Sequence, residues 1–262
     1  MSLDFDGFNG LMEQESGLKI LKLAAPGTGP LYQRLVLEYF LREHRTRAIL
    51  YVADGFAFRS PMWNEERIAD PKLLGRTPLR PALFGLLWSH VLHESVDPRA
   101  LADYATGFYK INNRDRFRQD SWEGEASFDR VFRPSASAEK KRIEYLYPDI
   151  SDGSRQEARY LEVLGRLLDL ARGHGTKVTI VKFPLPPRFR ALLEGEAEFD
   201  AALQALAGRY GADFADFSES IIDPRFYADT DHLNRAGVTE LFRHHLLDLL
   251  VPGEEGGAQA GF

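Results

Sequence analysis

YLEVLGRLLDLARGHGTKVTIVKF, residues 160–183, decides the fold class of this chain. Tyr160, Leu161, Leu164, Leu167, Leu168 and Ala171 recur at three- and four-residue spacing, the stripe of an amphipathic helix, and Gly173 and Gly175 end it. Lys177–Phe183 (KVTIVKF) then runs apolar and β-branched, the signature of a buried strand, and Pro184, Pro186 and Pro187 close it. A helix leading directly into a buried strand is half of a βαβ unit.

The same alternation extends outward. Downstream, Phe199, Leu203, Leu206 and Tyr210 form a helical stripe, Asp213–Phe217 (DFADF) a short strand, and Val238, Leu241, Phe242, Leu246 and Leu249 a last helix. Upstream, Ala48–Ala53 (AILYVA) reads as a strand closed by Asp54-Gly55, after a helix carrying Leu31, Leu35, Val36, Tyr39 and Phe40. Leu18–Ala25 reads as a further short strand, ended by Pro26-Gly27-Thr28-Gly29-Pro30 and preceded by a helix with Phe5, Phe8, Leu11 and Met12. Strands separated by helices imply an α/β fold, a parallel sheet between two helical layers. Ligands of such sheets sit outside the carboxyl ends of the strands, which points to the loops after Ala25, Ala53, Phe183 and Phe217. Residues 59–152 interrupt the alternation with Pro-rich turns, a helix over Pro81–His93 and a polar, aromatic stretch near 120–132. The interruption is too long for a connection and reads as a mainly helical cap or lid within a single domain spanning 1–252. Residues 253–262 read as a flexible tail.

Composition narrows the function. The 262 residues are 44% hydrophobic and 27% charged, which is globular, and contain no cysteine, which removes disulfides and thiolate metal sites. A net charge of -6 argues against a nucleic-acid partner. The basic run Lys140-Lys141-Arg142 reads as a solvated helix start. No apolar run is long enough to span a bilayer and no export signal stands at Met1.

The chemistry points to Phe226–Gly237, FYADTDHLNRAG. Asp229 stands three residues before His232, just ahead of a helix. A histidine acts as a base when a carboxylate holds its tautomer and stabilises the imidazolium, and this spacing lets both side chains meet across one turn. Asp229, Asp231 and Asn234 are equally good helix caps, so spacing alone leaves a purely structural role open.

The string Asp229-Thr230-Asp231-His232-Leu233-Asn234 with Gly237 resembles the final block of the SGNH/GDSL hydrolase superfamily, where Asp-x-x-His supplies the triad acid and base. Leu23–Gly29 is similar to the block that lines the oxyanion hole, with Gly27 in the matching place, and Leu50–Phe58 falls where a Gly-x-Asn-Asp block belongs. Here it reads Ala53-Asp54-Gly55, so Asp54 stands where an oxyanion donor is expected. The nearer likeness is to a bacterial envelope branch related to alginate-type O-acetyltransferases. That resemblance implies a flavodoxin-like sheet of order 2-1-3-4-5, an acyl-ester or glycan substrate, no cofactor or metal, and a place in the periplasm or cell envelope. Membrane association would come only through a segment absent from this chain. The family's opening strand, ending in Gly-x-Ser, has no counterpart before the first helix. The expectation is therefore a chain truncated at its N-terminus, whose nucleophile lies upstream of Met1 or, failing that, is Ser2.

Three further expectations follow. Arg188 and Arg190, after the prolines, are candidates for binding an anionic or sugar substrate. A metal-dependent hydrolase using His90, His93 and His232 would require those loops to converge. A non-catalytic binding or scaffold domain that retained the fold is the alternative to an enzyme.

Overall fold

The computed structural model describes residues 8–23, 25, 27–69, 77–107, 129–148 and 153–251. The helices are α1 (Phe8–Ser16), α2 (Pro30–Leu41), α3 (Glu65–Ala69), α4 (Pro81–His93), α5 (Pro98–Thr106), α6 (Ala136–Leu146), α7 (Gly153–Gly173), α8 (Pro187–Arg190), α9 (Glu196–Tyr210), α10 (Arg235–Leu241) and α11 (Leu247–Leu250). The strands are β1 (Ala48–Val52), β2 (Lys177–Lys182) and β3 (Asp213–Asp216). They form a parallel sheet in the order β1-β2-β3, with Tyr51 beside Ile180 and Val181 beside Ala215.

Period-two alternation sends the strands' side chains into two cores. Tyr51, Val178 and Ile180 join the larger one, built from α2, α4, α5, α7 and α9. Val181 joins the other, with Leu50, Val52 and Ala215 packed against it and α1, α10 and the π-helical turn Phe242–Leu246 covering it. Helices therefore lie on both faces of the sheet, giving an α/β/α arrangement. The described parts of residues 59–152 are mainly helical, and Ile68, Leu83, Leu86, Leu87 and Leu101 share the larger core with α2 and α7. A third cluster of Trp63, Leu146, Tyr147 and Phe189 joins the 3-10 turn Pro61–Trp63, α6 and α8. Among the described residues no helix is long and apolar enough to cross a membrane.

The run Leu18–Ala25 differs from its expectation. Its described residues join no strand ladder. An apolar run becomes a strand only where a neighbouring backbone pairs with it, and among the described residues β1, the nearest in sequence, pairs with β2 alone. Side chains take the ladder's place: Leu18 N–H donates to Ser16 Oγ at 3.2 Å and Ile20 N–H to Glu13 Oε1 at 3.0 Å. Ser2 and the tail 253–262 lie outside the described residues.

Lys182 ends β2 on the face that carries Val178 and Ile180. It is 5% exposed, donates to Glu196 Oε2 at 2.9 Å and also pairs with Asp200. Both partners lie in the first turns of α9, so this buried cation fastens the start of that helix to the sheet. Arg59 reinforces the same corner, donating to the carbonyls of Glu194 and Gly195 and, through Nε, to Glu157 on α7 at 2.9 Å.

Candidate active site

Residues 226–234 fold back on themselves as a tight hairpin. Tyr227 and Leu233 form an antiparallel bridge, Ala228 N–H donates to His232 O at 2.8 Å, and Asn234 N–H donates to Phe226 O at 2.8 Å. Tyr227 is fully buried and its hydroxyl donates to Ile221 O at 2.6 Å, anchoring the hairpin to the preceding loop. Asn234 caps α10 by accepting Gly237 N–H at 3.0 Å, while its Nδ2 donates to Arg225 O at 2.6 Å. One amide thus closes both the hairpin and the helix start.

Gly237 is required by this arrangement. A Cβ there would press into the backbone oxygen of Phe226, with Leu233 Cδ2 and Phe226 Cβ each 3.0 Å away. Gly237→Ala is expected to destabilise the protein by up to about 2 kcal/mol, because an overpacking cost of ~1–3 kcal/mol is set against the ~1 kcal/mol helix preference of Ala. Urea unfolding checks this; a stabilised variant would show that the hairpin yields freely.

Asp229 sits at the hairpin tip and organises it through one carboxylate. Its Oδ1 accepts Asp231 N–H at 3.0 Å and His232 N–H at 2.9 Å, and Nδ1 of His232 lies 2.8 Å from Oδ1 and 2.9 Å from Oδ2. Nδ1 must carry the proton in that contact, so the neutral ring presents its lone pair at Nε2, which meets no partner among the described residues.

Burial alone would raise the Asp229 pKa. The hydrogen bond and charge of His232, and the two backbone donors, outweigh it and lower the pKa to about 2. The group is depressed in the folded state, so its contribution to stability is present above the ordinary carboxylate pKa, ~4, and is lost as pH falls toward 2. The stability difference between the native protein and Asp229→Asn is expected to shrink across that window in acid-unfolding curves. A difference that persists unchanged at the acid end would mean the carboxylate's charge does not matter.

Asp231, between the dyad residues in sequence, has a separate role. It is buried, accepts Arg142 Nε at 2.8 Å and Nη2 at 2.7 Å, and accepts the Thr230 hydroxyl at 2.6 Å. Arg142 therefore corrects the expectation of a solvated basic run. Lys140 and Lys141 face water, whereas Arg142 makes a two-pronged ion pair that ties α6 to the hairpin. No spacing rule could have found it, because 89 positions separate the partners.

A cavity of about 430 Å³ opens beside the hairpin, lined by Arg130, Phe132, Lys141, Arg142, Tyr145 and Asp229 among others. Its walls connect to the expected oxyanion loop. Gly27 has φ +62, and a Cβ there would lie 2.8 Å from the Trp63 ring. Trp63 in turn meets Tyr145 edge-on at 5.4 Å, and Arg142 lies 5.4 Å over the Tyr145 ring. Gly27 N–H donates to no described residue.

The other expected residues do not line this cavity. Asp54 follows β1 and accepts Ala57 N–H through its backbone carbonyl. Arg188 pairs with buried Glu139 on α6 at 3.1 Å, and Arg190 pairs with Glu219; neither lines the cavity beside Asp229. His90 and His93 line a separate cavity with Arg34 and Arg166 and do not converge with His232. Oxygen and nitrogen donors of Asp229, Asp231 and His232 lie within 4.8 Å of one another, a spacing a cation could use. The Asp229 carboxylate is already engaged by His232 and two amides, and that of Asp231 by Arg142 and Thr230. No protein-family model and no curated protein matches the chain.

Proposed function

We propose that this chain is an SGNH/GDSL-hydrolase-like domain performing acyl-ester hydrolysis or O-acyl transfer by a Ser-His-Asp mechanism. The observation that carries the reading is the His232 ring, held by both oxygens of Asp229 at Nδ1 and open at Nε2. Three parallel strands in chain order are what strands 3-4-5 of a 2-1-3-4-5 sheet would give, which supports the family reading.

Nε2 takes the proton of a serine hydroxyl as Oγ adds to the ester carbonyl carbon. The tetrahedral oxyanion is held by the Gly27 N–H and the serine's own N–H. Its collapse breaks the bond to the leaving alcohol, which receives the proton from His232. Water, or a second hydroxyl for transfer, then adds to the acyl-serine with His232 again as base, and collapse breaks the acyl–Oγ bond, releasing the acid or new ester while His232 returns the proton to Oγ. Asp229 orients the ring and stabilises its cation throughout. The serine lies outside the described residues, and Ser2 is the candidate within this sequence. By the same resemblance the substrate is an ester on an envelope glycan, and the Tyr145 ring, half exposed on the cavity wall, offers a sugar an apolar face.

A non-catalytic binding or scaffold domain is the second reading, favoured by the absence of any described hydroxyl bonded to His232 Nε2. Fluorophosphonate labelling together with p-nitrophenyl acetate turnover separates the two. Labelling and turnover that both vanish in His232→Ala support the enzyme. Turnover undiminished in that variant would overturn the dyad, and a wild-type chain without either activity supports the scaffold.

A further inference from the structure

A second cavity, of about 480 Å³, is lined by α2, α4 and α7 and shares no lining residue with the first. Glu94, immediately after α4, is its hub. Its carboxylate accepts Arg34 Nη1 at 2.5 Å and Arg166 Nη2 at 2.9 and 3.0 Å, and its backbone carbonyl accepts Arg159 Nη2 at 3.0 Å. Three guanidiniums thus converge on one buried residue. Within the lining they face two carboxylates, Glu94 and Glu162; Arg159 also pairs with buried Glu65, so the positive excess lies with Arg34 and Arg166, which share the single Glu94 carboxylate.

An ion-pair network alone would account for those contacts but leaves two features unexplained. His90 lines the same cavity, is 1% exposed, and neither of its ring nitrogens has a hydrogen-bond partner. A buried imidazole without partners forfeits both its donor and its acceptor, a cost that sites usually avoid. Burial, followed by the charge of Arg34, lowers its pKa to about 4 against the opposing pull of Glu94, so at neutral pH the ring is an uncharged N–H donor. In addition, Arg34 directs only Nη1, and Arg166 only Nη2, at a described residue. Their remaining N–H groups, in the fork geometry suited to phosphate, are left without a protein acceptor among the described residues.

We propose that this cavity binds a small phosphate-type oxyanion through Arg34, Arg166 and the His90 N–H, with Glu94 holding the guanidiniums converged before the ligand arrives. A cation is disfavoured there by the three guanidiniums. The proposal is independent of the hydrolase reading, so either can fail alone.

The test follows the His90 ring by NMR while inorganic phosphate, glycerol phosphate or acetate is titrated into the intact chain. A saturable shift with inorganic phosphate is expected. Arg166→Gln, at a half-exposed position that tolerates substitution, should weaken it about tenfold or more, the scale of a lost charge-assisted hydrogen bond. Equal binding of glycerol phosphate identifies a phosphate monoester as an admissible ligand, and binding of inorganic phosphate alone identifies the free ion. No saturable shift, an equal response to acetate, or a response unchanged in Arg166→Gln would overturn the site.

Discussion

His232→Ala is expected to lower p-nitrophenyl acetate turnover by about 10²–10⁴-fold, the range that a positioned general base contributes. Asp229→Asn tests the same dyad more sharply. Oδ1 of Asp229 carries both backbone hydrogen bonds, whereas Oδ2 contacts the ring alone. An asparagine can therefore keep Oδ1 toward the amides and turn Nδ2 toward His232. The hairpin survives, but an amide donor now faces Nδ1 in place of Oδ2 and favours the tautomer with the ring proton on Nε2, where the proposed base acts. A loss of kcat approaching ~10⁴-fold with an unaltered circular dichroism spectrum is the expected result. Ring-nitrogen NMR should show the tautomer exchanged. An active Asp229→Asn variant would show that the carboxylate shapes the loop without serving the histidine.

Lys182→Met is expected to produce the largest loss of stability, about 3–5 kcal/mol by urea unfolding at neutral pH, because removing one member of a buried ion cluster strands the others. The ammonium is buried and bonded to Glu196 and Asp200. Burial opposes its charge, but the attraction of Glu196 and Asp200 outweighs this and raises its pKa, so it stays protonated. Asp200 already has a raised pKa through burial, partly offset by Lys182. Without the lysine the Asp200 carboxyl would rise further, and a group whose folded pKa is raised destabilises most where it is ionised. The deficit of the variant should therefore be full at neutral pH and shrink as pH falls and Asp200 takes up a proton. A loss below ~1 kcal/mol would mean that solvent screens the cluster.

Much of this architecture is legible in one dimension. Helical stripes ending in glycine, as at Leu164–Gly173, and apolar runs such as Lys177–Lys182 settle element type, because periodicity reports which faces are buried. The Asp229–His232 contact is likewise local: three residues across one turn let the two groups meet within the hairpin. The expected strand Leu18–Ala25 shows where such reading stops, since a strand is a property of two backbones and periodicity describes only one. The same limit hid the Arg142–Asp231 pair, the clasp of Lys182 on Glu196 and Asp200, and the convergence of Arg34, Arg159 and Arg166 on Glu94. The sequence by itself determined most of the elements, their α/β alternation and the Asp229–His232 contact, because each depends on neighbours within a few residues. Only the tertiary structure decided which distant charges meet, because that depends on how helices dock on the sheet, and burial then makes those meetings energetically decisive.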